Sequence, residues 1–140
     1  MAGRTIRTPP KLSALVCAFF QDGARALFLE QKDERGITRL DLPSIIINEG
    51  EDPVSALAAY LRSTLAIDAQ IHLICLRGKF NAGTRKRRRM IPALAFACSA
   101  KKIQPKIAPP YSGTVWLAAE DAFERKLGRN TEWLRSAERV

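Results

Sequence analysis

Histidine is almost missing from this chain: His72 is the only one in 140 residues. It lies in the run IHLICL, where an ordinary strand side chain is its simplest role. Cysteine is scarce as well. Cys17, Cys75 and Cys98 each sit inside an apolar run, and no two stand at metal-ligand spacing. A nucleophilic thiol needs a base beside it, which one histidine hardly supplies. The odd count and apolar settings point to reduced thiols in a cytoplasmic protein rather than to a disulfide framework. Long hydrophobic runs are absent too, none reaching the roughly 18 residues of a membrane span. The opening MAGRTIRTPPKLSALVCAFF has the basic-then-apolar order of a weak signal peptide. A strand is the better reading, because Pro9-Pro10 precedes the apolar run and Gln21-Asp22-Gly23 ends it as a turn.

Acid is the remaining deficit. Fourteen Asp and Glu face 23 Lys and Arg, a net charge of +9, and the pI is near 10.0. Such a bias favours anionic partners: nucleotides, nucleic acid or an acidic protein. Otherwise the composition is that of a globular protein, 46% hydrophobic and 26% charged. The length suits one domain, residues 12–140, behind a basic flexible arm, residues 1–11, that carries Arg4, Arg7 and Lys11.

Along the chain, Leu12–Phe20 is a continuous apolar run and reads as a buried strand. After the turn, Ala24–Gln31 and Ile37–Leu42 read as two further strands. Ala69–Phe80 and Met90–Ala100 form a long hairpin around the polar loop Asn81–Arg89. Lys101–Pro110 is a basic linker, Tyr111–Leu117 a last strand, and Ala119–Leu127 a helix opened by Glu120 and Asp121. Asn130 or Thr131 is placed to cap a short terminal helix through Glu138. Strands, helix, strands, helix is the order of an α+β protein with a mixed sheet packed between helices.

The central stretch is Leu42–Ile67, LPSIIINEGEDPVSALAAYLRSTLAI, read as a strand end, a loop and a helix. Asp52 followed by Pro53 is a strong helix start, a capping carboxylate and then proline at the first helical position. Val54, Leu57, Ala58, Leu61 and Leu65 fall at helical spacing and give an apolar face. Tyr60, Ser63 and Thr64 share a second face, which carries three hydroxyls and no charge. On the loop, Glu49, Glu51 and Asp52 cluster ahead of the helix. Capping and dipole interactions account for them, and a weak metal or phosphate-bridging site is the alternative.

This stretch resembles the Nudix box: a glycine, five residues, a glutamate, seven residues, then Arg-Glu, an aliphatic residue, any residue, Glu-Glu, any residue, glycine and an aliphatic residue. Leu42-Pro43 matches the opening of the fuller pattern, Gly50-Glu51 with Pro53 matches its core, and Ala56, Leu61 and Ile67 hold apolar positions. The ending TVWLAAEDAF, with Trp116, Glu120 and Asp121, resembles the closing strand and helix of that family. The resemblance implies a Nudix-like α/β/α sandwich. It also implies helix carboxylates that hold Mg²⁺ against a diphosphate, and here the box is degenerate. Ser44-Ile45 stands for the paired glycines, Ala59-Tyr60 for Arg-Glu, Ser63-Thr64 for Glu-Glu and Ala66 for the last glycine. Magnesium takes oxygen ligands that usually include one or two carboxylates, which neutral hydroxyls do not replace.

The other prominent feature is Arg85, Lys86, Arg87, Arg88 and Arg89, five consecutive cations on a hairpin tip. Arginine's planar fork suits phosphate, so the tip is the candidate contact for nucleic acid or polyphosphate. Phe80, Tyr111, Trp116, Phe123 and Trp133 are the aromatics available to stack on a base, while Phe19, Phe20, Phe28 and Phe96 serve the core. Tyr60 is a candidate to line a ligand cleft. Three functions compete. The first is a Nudix-fold protein that binds a nucleotide or nucleic acid without hydrolysis and needs no cofactor. The second is a Mg²⁺-dependent pyrophosphohydrolase of a nucleoside diphosphate derivative, its atypical ligands drawn from Glu49, Glu51 and the last helix. The third is an interaction module whose basic prong docks an acidic partner or a homodimer mate.

Overall fold

The computed structural model describes residues 11–140; the expected basic arm lies almost entirely outside them. Eight strands occur in the order β1 (Leu12–Asp22), β2 (Arg25–Lys32), β3 (Thr38–Asp41), β4 (Ser44–Asn48), β5 (Gln70–Asn81), β6 (Met90–Ser99), β7 (Tyr111–Ala118) and β8 (Glu138–Arg139). Helix α1 (Pro53–Leu65) follows β4, α2 (Ala119–Phe123) follows β7, and a 3₁₀ turn covers Glu132–Ser136. The sheet runs β3-β2-β1-β6-β5-β8, with β4 also pairing β1 and β7 pairing β2. β1 and β6 are parallel, and the other pairs are antiparallel. This is the expected mixed sheet of an α+β sandwich.

β1 is apolar from Ala14 to Phe20 because both of its faces are covered there. Leu15 and Cys17 join one core with Phe28, Leu40, Phe80, Leu127 and Trp133. Ala14, Val16, Ala18 and Phe20 join the other, against Leu57, Leu61 and Leu65 of α1. The helix starts at the Asp52 cap, whose carboxylate accepts from the Ser55 N–H at 2.8 Å. Full burial of its three leucines contributes about 1.5–3 kcal/mol each and holds it on the sheet.

Four expectations need correction. Ser44–Asn48 is a strand, not part of a loop: its three β-branched isoleucines pair with Ala14, Leu15 and Val16 of β1. Val54 is 39% exposed and adds little to the apolar face of α1. The helix expected over Ala119–Leu127 stops at Phe123, because the following segment is drawn alongside β3. There the Leu40 N–H donates to the Lys126 carbonyl, and the Gly128 N–H donates to the Leu40 carbonyl. The terminal helix is only the 3₁₀ turn. Thr131 does not cap it, because its hydroxyl is bonded elsewhere, and Glu138–Arg139 instead pairs with β5.

Candidate functional site

Two regions meet at the C-terminal segment around Arg129. The first is a polar cavity of about 210 Å³ lined by Asp33, Arg39, Asp41, Ser44, Tyr111 and Asn130, with Arg129 at its border. Strand β3 supplies Arg39 and Asp41, the first residue of β4 supplies Ser44, and β7 begins at Tyr111. Thr131 anchors the segment beneath. Fully buried, its hydroxyl accepts from the Leu42 N–H at 3.0 Å and donates to Asp41 Oδ1 at 2.9 Å. Gly128 is required by close approach, since a Cβ there would lie 2.2 Å from Asp41 Oδ1.

The two carboxylates of this cavity are held differently. Asp33 accepts the Ile37 N–H at 3.0 Å, the Arg39 Nε at 3.0 Å and the Arg35 N–H at 2.9 Å. Those bonds, the Ile37 one foremost, hold its pKa below the ordinary value. Burial pushes the Asp41 pKa up, against the opposing pull of the Thr131 hydroxyl and Arg39. Burial raises the pKa of two phenols, Tyr60 of α1 and Tyr111. Tyr60, a candidate to line a cleft, is half-buried but is not among the residues that line this cavity, whereas Ser63 and Thr64 are exposed on the helix. Ser63 Oγ donates only to the Tyr60 carbonyl, at 3.4 Å.

The loop acids do not converge with that helix face. Glu51 Oε1 accepts the Asn48 N–H at 2.9 Å, Asp52 caps α1, and Glu49 is exposed. Gly50 sits at φ +92°, the conformation that favours glycine. Among the described residues no three His, Cys, Asp or Glu side chains form a group able to hold a metal ion. The magnesium implied by the box resemblance does not fit the donors present: neutral hydroxyls on α1, Glu51 and Asp52 held by backbone N–H groups, and a single exposed Glu49.

The second region is the β5–β6 hairpin. Asn81 ties its base, with Oδ1 accepting the Gly83 N–H at 3.0 Å and the Arg89 N–H at 2.9 Å. Thr84 Oγ1 accepts the Arg87 N–H at 3.0 Å. Arg85, Lys86, Arg87, Arg88 and Arg89 are exposed, and within the described residues none of the five makes an ion pair. Arg129 lies 5.8 Å from the Phe80 ring centre and donates to the carbonyls of Asn81 and Gly83. It also borders a cleft of about 710 Å³ with Lys79, Thr84, Arg85 and Met90. The same arginine therefore edges the small cavity and the basic hairpin.

Of the aromatics proposed to stack, Phe80 and Trp133 are buried, and Trp116 packs against the α1-side core. Tyr111 is the one that lines the polar cavity. Sequence marks none of Asp33, Arg39, Asp41 and Arg129, and marks Asn130 only as a cap, because they come from separate strands and loops with no fixed spacing. His72 Nε2 lies 2.7 Å from Ser99 Oγ on the exposed sheet face, away from both regions. A larger cleft, about 900 Å³, runs past Asp68, Gln70, Ser99, Lys101 and Lys102 near the C-terminal end of α1.

No family model matches the chain, and no curated protein is similar to it in sequence. Solved structures are similar in fold. The Escherichia coli ORF135 protein superposes with a TM-score of 0.67 at 17% identity over 90% of this chain and 88% of that one. A MutT protein from Methanosarcina mazei Go1 gives 0.67 at 16% identity over 93% and 92%. A NUDIX hydrolase from Nitrosomonas europaea gives 0.63 at 13% identity over 82% and 78%. With strand order, helix placement and these superpositions in agreement, the chain has the Nudix fold.

Proposed function

We propose that this Nudix-fold protein binds a nucleotide, free or within a nucleic acid, without hydrolysing it. The observation that carries the reading is the α1 face: Tyr60, Ser63 and Thr64 stand where the box resemblance calls for metal-holding carboxylates, and burial holds the Tyr60 phenol in its neutral form. Binding chemistry remains on either side of that face. Asp33 and Asn130 offer acceptors and donors inside the small cavity, and Tyr111 offers a ring edge or face. Asp33 and Arg39 are paired inside the cavity at 3.0 Å, so Arg39 is not a free cation for phosphate, and the polar lining suits the amino and ring N–H groups of a base. Outside it, Arg129 and the hairpin cations attract phosphate. The ligand is thereby oriented base inward, phosphate outward.

The test combines two assays on the pure protein. Thermal shift with nucleotides, with and without magnesium, is expected to show stabilisation that does not depend on the metal, since a ligand of the folded state raises Tm by mass action. Incubation of nucleoside diphosphate derivatives with magnesium is expected to release no product. Magnesium-dependent product release that Glu51→Gln abolishes would replace this reading with the pyrophosphohydrolase one.

A further inference from the structure

Resting on that reading, we infer that the ligand is a single-stranded nucleic acid of several nucleotides, with one unpaired base in the small cavity and its following phosphates along Arg129 and the β5–β6 hairpin. The argument begins with size. A cavity of about 210 Å³ falls below the roughly 300–1,000 Å³ of pockets that enclose a drug-sized ligand. It takes one ring system and leaves sugar and phosphate outside. What lies outside is continuous: Arg129 borders the cavity and also the 710 Å³ cleft that holds Lys79, Thr84 and Arg85.

Charge gives the length. Arg85, Lys86, Arg87, Arg88 and Arg89 are exposed and without carboxylate partners among the described residues. A mononucleotide whose base sits in the cavity neutralises the cations at the border and leaves most of this prong unmatched. A run of phosphates, one per nucleotide, matches it. Glu132, the acid of that cleft, is paired with Arg135 at 3.0 Å and so opposes the anion less. The hairpin is also set in advance. Asn81, Thr84 and Arg129 together hold its loop by the bonds described above, so ordering it on contact costs little. A duplex fits poorly, because a paired base has no free edge for Asp33 and Asn130. Unpaired bases are the ones that proteins read by stacking and edge contacts.

The experiment is fluorescence anisotropy with labelled RNA and DNA single strands of one to eight nucleotides, a matched duplex, and inorganic polyphosphate as competitor. Affinity is expected to rise at least tenfold between one nucleotide and about five. The slope of log K against log salt is expected near −3.5, from about 0.7 per phosphate over five contacts. The triple variant Arg85→Ala, Arg87→Ala, Arg89→Ala, whose side chains are all exposed, is expected to reduce that slope by about 2. Asn130→Ala is expected to weaken the mononucleotide and leave the slope alone. Asn81→Ala, which loosens the loop and keeps its charge, is expected to cost severalfold in affinity with the slope unchanged. A mononucleotide that binds as tightly as an octanucleotide overturns the inference and leaves the nucleotide reading standing. Binding of neither removes both. Equal or tighter binding of the duplex, or equal competition by polyphosphate, overturns the unpaired-base arrangement.

Discussion

Helix α1 and the β5–β6 hairpin have been treated in opposite ways. The helix keeps everything a fold needs: the Asp52 cap, Pro53, and Leu57, Leu61 and Leu65 against the sheet. The face that holds Tyr60, Ser63 and Thr64 carries no charge, and the one basic residue of the last turn, Arg62, pairs with Asp68 at 3.1 Å. The hairpin tip adds nothing to the core, yet it holds five exposed cations on a loop fastened by Asn81 and Arg129. A fold's scaffold and its chemistry are therefore separable. Packing preserves the helix whatever its outer face carries, while charge collects where packing does not object.

If that contrast is right, substitutions in the support of the hairpin should matter far more than substitutions on the hydroxyl face of α1. Gly78 on β5 is the strongest case. A Cβ there would lie 2.7 Å from Cε3 of Trp133, and Trp133 is buried in the core shared with Phe80. The indole has little room to yield, because its Nε1 is enclosed and has no hydrogen-bond acceptor at acceptable geometry. It lies close enough to Cys17 to favour the thiolate, but burial dominates and pushes that thiol's pKa up. Gly78→Ala is expected to cost about 1–3 kcal/mol, the range for overpacking a tight interior, read by urea unfolding. A cost under about 0.5 kcal/mol would mean that the hairpin's root is slack.

Much of this was legible beforehand. The sequence patterns locate seven of the elements, since β1, β2, β6 and α1 bury residues at the spacing their sequence displays, and β3, β5 and β7 lie where runs of strand character stand, although β5 buries only Phe80. β4 escaped because Pro43 before it and Asn48-Glu49-Gly50 after it have loop chemistry, while its pairing with β1 is a long-range matter. Thr131 looked like a helix cap because local sequence cannot show that Asp41 and the Leu42 N–H will claim its hydroxyl from 90 and 89 residues away. The basic prong needed no tertiary information. The small cavity needed all of it, being assembled from β3, β4, β7 and the Gly128–Asn130 segment.

Between the two regions, Asp41 offers a test by pH. Its folded pKa is raised by burial. The folded state therefore holds the proton more tightly than the unfolded state, and the stability this brings is complete below the ordinary carboxylate value. It is lost as pH rises through the raised pKa. Asp33, with its pKa lowered chiefly by the Ile37 N–H, acts in the opposite sense: its contribution is present above the ordinary value and is lost on acidification. Asp41→Asn keeps an acceptor for Thr131 and removes the charge. Its stability relative to the parent is expected to increase from pH 4 to 7, measured by thermal unfolding across that range. A difference that is constant with pH would show that Asp41 is well solvated.

The helix supplies the smaller effects. Ala66, at the C-cap of α1, has φ +55° and ψ +35°, a left-handed conformation that costs a residue with a Cβ about 1–2 kcal/mol. Glycine avoids that penalty and loses part of the gain to backbone entropy, so Ala66→Gly is expected to stabilise by about 0.5–1 kcal/mol. Ser63 and Thr64 come last. Both are exposed, and the one bond from Ser63 is a long one to its own helix. Ser63→Ala and Thr64→Ala are each expected to change stability by less than about 0.5 kcal/mol and oligonucleotide affinity by less than twofold. A larger loss of affinity from Thr64→Ala, at unchanged Tm, would place the ligand on the helix and erase the contrast with the hairpin. Equal binding by parent and variant leaves α1 as scaffold, its leucines on the sheet and its Ser63 and Thr64 hydroxyls facing solvent.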